Sequence, residues 1–167
     1  RVDLMQIHNL LSWRSHLPTL REWKAQGLAR HLGITTSHGR DHDLVQRILE
    51  SERGIDVLQI TYSPADRSAE PLLDLAAKKG VAVIINRPFD GGELLSRLAR
   101  VALPPVAAEL GCAHWATLVL KWELANPAVT VAIPATTSPE HVEQNLAALR
   151  GPLPDAKQRE AILRAMG

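Results

Sequence analysis

The chain has a single cysteine, Cys112, in 167 residues, so no internal disulfide can form and its stability has to come from packing. Long hydrophobic runs are missing too: a stretch such as Val81 to Ile85 falls far short of the ~20 residues that carry a helix across a bilayer. Nor is one sign of charge in excess. Nineteen Lys+Arg against eighteen Asp+Glu leave a formal +1, and no basic run forms the phosphate-binding footprint of a nucleic-acid protein. No Gly-, Ser- or Pro-rich linker divides the chain, and no strand runs into the G-x-G-x-x-G turn of a Rossmann-type sheet. These absences predict a soluble protein with no nucleic-acid partner and no membrane span, folded as one domain over residues 1–167.

What is present is an ordinary globular composition, 46% apolar and 22% charged. A chain of this size buries roughly 70% of its unfolded surface. It opens on Arg1, and Val2-Asp3-Leu4-Met5-Gln6-Ile7 already reads as a strand. The sequence is therefore expected to be part of a longer chain. Cytoplasmic location is the expectation, with an upstream export signal left open.

Short apolar strands alternate with amphipathic helices, the pattern of an α/β fold with a mainly parallel sheet. Strands are predicted near residues 2–7, 31–35, 56–61, 81–85 and 129–133, the first four starting one βα unit apart. Glu70 to Lys79 reads as a helix with Leu72, Leu75 and Ala76 on one face and Gly80 as its stop. Residues 104–125 break at Gly111 into two helices, the second with Trp115, Leu118, Val119 and Trp122 as a core stripe. Ser138-Pro139-Glu140 reads as an N-cap, Pro at N1 and an early acid. A last helix covers roughly 155–165.

Polar residues collect where the strands end: His8 and Asn9, Thr35 and Thr36, Gln59 and Thr61, Asn86 and Arg87, Thr136 and Thr137. Parallel α/β folds bind ligands at that end, because loops and helix N-termini converge there with free N–H donors. Polarity also returns wherever a strand leaves the core, so position alone does not separate a site from a surface.

At these residues the chain resembles the aldo-keto reductase family along essentially its whole length. Val2 to Asn9 is similar to the family's fourth strand, which ends in the catalytic histidine, here His8. Leu32 to Thr36 resembles the fifth-strand motif, Leu58 to Pro64 the sixth, and Val81 to Gly92 the seventh strand with its Gly-rich loop. Ile133 to Asn145 is similar to the segment that holds the adenosine end of the cofactor. The resemblance implies a (β/α)8 TIM barrel, of which this chain supplies about five strands, the fourth to the eighth, with their helices. It also implies nicotinamide-dependent reduction of a small-molecule carbonyl, with NADP(H) set ahead of NAD(H). His8 would be catalytic, and Thr35, Thr36, Gln59, Asn86, Phe89, Thr136, Ser138, His141, Gln144 and Asn145 would bind the cofactor. No metal site is implied.

Several positions depart from the family pattern. Thr35-Thr36 stands where the family has Ser-Asn, keeping hydroxyls and losing an amide. Asn86 replaces the aromatic that stacks on the nicotinamide, with Phe89 as the candidate substitute. Ala135 and His141 replace a Lys and an Arg that take the 2'-phosphate, which leaves Thr136, Ser138 and the helix N-terminus after them to hold a phosphate. Of the family's Tyr, Lys, Asp and His, only the His falls within this chain. Tyr62, the sole tyrosine, matches a sixth-strand position and is assigned to packing.

Other residues carry competing readings. His38 and His42 beside Asp41 and Asp43, with His31 nearby, have metal-ligand spacing, but Ser37 to Arg40 reads as a loop into a helix N-cap at Asp41. Cys112 has no base partner and is assigned to the interior. A ligand-binding or regulatory barrel module without chemistry is the alternative function. With three βα units outside the chain, both sheet edges are expected to be open, and self-association through them is one expected outcome.

Overall fold

The computed structural model describes residues 1–167. Five strands, β1 (Val2–Ile7), β2 (Ala29–Thr35), β3 (Val57–Thr61), β4 (Ala82–Asn86) and β5 (Val131–Ala132), form one parallel sheet in sequence order. Between and after them run α1 (Trp13–Ala25), α2 (His42–Ser51), α3 (Glu70–Lys78), α4 (Glu93–Leu98), α5 (Pro105–Glu109), α6 (Trp115–Leu124), α7 (Pro139–Leu146) and α8 (Ala156–Met166). The predicted strands are all present. The last is only two residues long: the Ile133 N–H still donates to the Ile85 carbonyl at 2.9 Å, and Pro134, which has no N–H, cannot extend the pairing.

One face of the sheet is covered and the other is open. Ile7, Leu32, Ile34, Leu58, Ile60, Val83 and Ile85 alternate along the strands and are all buried. They share a single core with Leu17 and Leu20 of α1, Val45 and Ile48 of α2, Leu72 and Leu73 of α3, and Leu118 and Trp122 of α6. Each fully buried aliphatic contributes about 1.5–3 kcal/mol. The opposite face carries Val2, Leu4, Gln6, Gly33, Gln59, Ile84 and Val131, and at its two margins Val2 is 49% and Val131 41% exposed. That face would be the interior of a closed barrel.

The helix stops follow their glycines. Gly80 and Gly111 take φ of +68° and +66°. In each the glycine N–H and the next N–H fold back onto the helix: Gly80 on Ala77 and Val81 on Ala76, Gly111 on Ala108 and Cys112 on Ala107. This is the Schellman closure, open to glycine because it has no Cβ. α8 starts on a capping box between Asp155 and Gln158.

Two expected caps do not form. Asp41 precedes α2 at φ +60° and Ser138 precedes α7, yet neither side chain bonds its helix. α6 is the larger surprise. Its buried surface is not a stripe: residues 116–123 are all buried, including Lys121 and Glu123, both 0% exposed. The Lys121 ammonium donates to the carbonyls of Leu110 (2.7 Å), Arg150 (2.6 Å) and Pro152 (2.9 Å). The Glu123 carboxyl has no hydrogen-bond partner on either oxygen, and burial pushes its pKa well above the usual carboxylate range.

Candidate functional site

At the C-terminal ends of β4 and β5 lies a cavity of about 510 Å³. Three segments wall it: the turn after β4, the extended stretch Ile133 to Thr136, and the inner side of α7 at His141, Gln144 and Asn145. The turn is made by Gly91 (φ +67°) and Gly92 (φ +100°), conformations that side chains rarely adopt. Gly91 also leaves room for a neighbour: a Cβ there would sit 3.0 Å from Arg87 Nη2. Arg87 is itself left-handed, at φ +49°. Its Nη2 donates to Asp90 Oδ1 at 3.3 Å, and its buried Nε has no partner. Among the fourteen residues lining the cavity it is the only permanent charge, and none is an acid.

α7 is fixed in place by Thr117, whose hydroxyl donates to the Gln144 carbonyl at 2.8 Å. Thr136 organises the approach to the helix: its hydroxyl accepts the Ser138 N–H at 3.1 Å and lies 3.3 Å from His141 Nδ1. One N–H of the helix start is thus used internally, Pro139 has none, and Glu140 sits in the first turn. The N-terminus of α7 is therefore a poorer phosphate cradle than the sequence implies.

Next to the cavity, a buried clasp ties the strand ends. Asn86 Nδ2 donates to the Thr36 carbonyl (2.7 Å), and its Oδ1 accepts from the Thr61 hydroxyl (2.7 Å), which in turn accepts the His38 N–H (3.0 Å). The Asn86 amide is thereby occupied in holding the loops after β2 and β3. Thr36 Oγ1 is buried without a partner. Farther along the open face, Gln6 Nε2 reaches across Gly33 to Gln59 Oε1 at 2.9 Å. A Cβ on Gly33 would lie 2.9 Å from Gln6 Oε1, so the glycine makes that crossing passable.

His8 ends β1 and is exposed; the cavity it lines is a separate one of about 380 Å³, with Met5, His16 and Trp23. Tyr62 is fully buried, tilted against Trp122 with ring centroids 5.3 Å apart. Its hydroxyl donates to Glu70 and accepts from Arg159 (2.8 Å) and Asn126 (3.4 Å). Burial is the main cause that raises its pKa.

Of the residues singled out from sequence, the structure gathers Phe89, Thr136, His141, Gln144 and Asn145 around the larger cavity. Thr35, Thr36, Gln59 and Asn86 stand at or near the same end of the sheet outside its lining, as does Ser138 beside it, while His8 faces a different cavity. Sequence reasoning missed Arg87 as a wall residue and Gly91 as its cradle. The signal was there, a cation directly after a strand end and followed by a glycine pair.

The chain is similar to known proteins in sequence and in fold. The sequence profile described as the aldo/keto reductase family matches residues 1–162. A pyridoxine 4-dehydrogenase of Escherichia coli is 29% identical over 137 residues, covering 82% of this chain and 45% of that protein. An NADH-specific methylglyoxal reductase of the same organism is 27% identical over 164 residues, covering 82% and 49%. An aldo-keto reductase from Bacillus halodurans superposes with a TM-score of 0.77 at 23% identity, over 98% of this chain and 60% of that one. The aldo/keto reductase from Klebsiella pneumoniae, in complex with NADP and acetate, gives 0.74 at 23%, over 97% and 58%. The chain thus spans about half the length of these relatives and about 60% of these barrels. Its parallel sheet, with helices on one face, is the corresponding part of a (β/α)8 barrel, and the chain belongs to the aldo/keto reductase family.

Proposed function

We propose that these residues form the cofactor-binding part of a nicotinamide-dependent carbonyl reductase, acting together with the remaining βα units of the barrel. The observation that carries this reading is the cavity after β4 and β5, with one cation, no acid and a glycine turn at its wall. Its makeup fits the nucleotide half of a dinucleotide. Phe89, Ile133 and Pro134 offer apolar surface, Gln144 and Asn145 offer amides, and Arg87 Nε is a buried donor without a partner. NADP(H), set ahead of NAD(H), supplies the hydride when bound. Among the relatives one is named NADH-specific and one structure holds NADP.

The chain's own residues bind and orient. Thr36 Oγ1, buried and unpartnered, and its neighbour Thr35 offer hydroxyls toward the carboxamide end. Asn86 acts indirectly, by holding the Thr36 carbonyl and the Thr61 hydroxyl in place. His8, at the same end of the sheet, orients the carbonyl oxygen, and the proton donor belongs to the upstream strands. Without that donor the 167 residues alone should give no useful turnover, since loss of a general acid costs about two to four orders of magnitude.

The test is NADPH oxidation by a polypeptide that joins this chain to the remaining βα units, run on a panel of aldehydes and α-oxoaldehydes. His8→Gln should lower kcat about a hundredfold with nucleotide affinity kept. Full activity in that variant would remove His8 from the site. A second reading, a binding module without chemistry, draws on the Asn86 amide, which is spent on the scaffold where the family places an aromatic. Nucleotide binding with no turnover on any carbonyl would select it.

A further inference from the structure

We infer that Arg87 is the anion-binding residue of the cavity and takes a phosphate of the bound nucleotide, supplying the cation that Ala135 and His141 leave out. The inference deepens the cofactor reading and rests on it. The guanidinium lines the cavity, is the only permanent charge there and meets no acid in the lining. Its one ionic partner, Asp90, is reached by a single long contact of 3.3 Å, with the Asp90 side chain 49% exposed. That contact uses one of the five N–H donors of the guanidinium. Nε is buried and bonds nothing.

The backbone is shaped around this side chain. Arg87 holds φ +49°, a strained setting for a residue with a Cβ, and Gly91 provides the empty space in which Nη2 lies. A guanidinium at a cavity wall has the planar fork of donors that bidentate recognition of a phosphate requires. The cation of the site therefore sits on the turn after β4, opposite α7, while the start of α7 has Glu140 in its first turn and an N–H already bonded to Thr136.

The phosphate can come from the 5' side or the 2' side of the adenosine, and probes separate the two. The chain joined to its remaining βα units, and its variants Arg87→Met, Arg87→Lys and Asp90→Asn, are titrated with adenosine, ADP, 2'-AMP and inorganic pyrophosphate, with circular dichroism to confirm folding. Arg87→Met should weaken ADP or 2'-AMP about tenfold to a hundredfold and leave adenosine unchanged. The phosphate whose affinity falls identifies the source. Arg87→Lys should recover part of the loss and none of the bidentate geometry. Asp90→Asn distinguishes binding from bracing: it should hold or raise anion affinity if Arg87 binds the phosphate, and should copy Arg87→Met if the ion pair merely stiffens the turn, which would overturn the inference. ADP and 2'-AMP that each bind wild type and Arg87→Met equally would also overturn it while leaving the cofactor reading intact. Pyrophosphate binding that depends on Arg87, with no nucleotide bound, would keep the anion site and remove the cofactor reading. No binding of any probe would remove both.

Discussion

Replacing Glu123 should make the protein more stable at neutral pH, against the usual sign for a core substitution. The side chain is fully buried in α6, and both carboxyl oxygens lack a partner. A buried polar group left unsatisfied costs about 1–3 kcal/mol. Glu123→Leu removes both oxygens at similar volume, so a gain of about 2 kcal/mol is expected. For a chain of 150–250 residues that corresponds to about 4–8 °C in Tm. The pH dependence follows from the raised pKa. Below the ordinary carboxylate range Glu123 is protonated in both folded and unfolded chains and contributes no slope. As pH rises past that range the unfolded chain ionises and the folded one does not, so wild type loses stability until the folded pKa is passed. Asp56 has the opposite sign. Burial raises its pKa, but the Lys24 ammonium at 2.5 Å and the Leu32 N–H at 2.8 Å outweigh that and leave it lowered, so its contribution is present above the ordinary range and lost as pH falls. Subtracting variant from wild type isolates Glu123. Urea unfolding from pH 4 to 8 should show the Glu123→Leu advantage growing with pH, and Glu123→Gln should abolish the slope with a smaller gain. Destabilisation by both variants at every pH would refute the reasoning, since it would mean that the carboxyl has a stabilising partner.

Lys121→Met should destabilise by more than about 3 kcal/mol in urea unfolding, because three carbonyls lose a charged donor; unchanged stability would show that these contacts are incidental. Gly33→Ala should cost about 1–3 kcal/mol, since its Cβ would press on the Val57 carbonyl oxygen at 2.9 Å as well as on Gln6. Gln6→Ala in the same background should return only the Gln6 share. The 167-residue chain alone, with β1 and β5 each paired on one side, should associate or aggregate at micromolar concentration; a monodisperse monomer in light scattering would count against an open sheet.

The fold was legible because its signals are local. Gly80 and Gly111 end helices through bonds to residues three or four positions back, and β3 and β4 are short apolar runs that read directly as buried strands. That Thr136, His141, Gln144 and Asn145 come together at one cavity was legible for the same reason, since they lie within one turn and one helix. What stayed hidden depends on distant chain. Lys121 finds carbonyls 11, 29 and 31 residues away, so helix periodicity could not foresee a buried ammonium. The tie between Asn86 and Thr36 spans 50 residues, so strand-end position did not show that the Asn86 amide braces the neighbouring loop. Arg87 escaped because its direction is set by a positive φ and by the absence of a side chain at Gly91, features that sequence spacing does not display.

On the proposed function, a nicotinamide dinucleotide lies in the cavity after β4 and β5. Hydrogen exchange of the chain, joined to its remaining βα units, measured with and without saturating NADPH tests it most directly. Slowed exchange is predicted in two separate segments, 87–95 and 133–145, with little change around Met5, His16 and Trp23. Unchanged exchange in both segments, or protection confined to the cavity beside His8, would contradict the account.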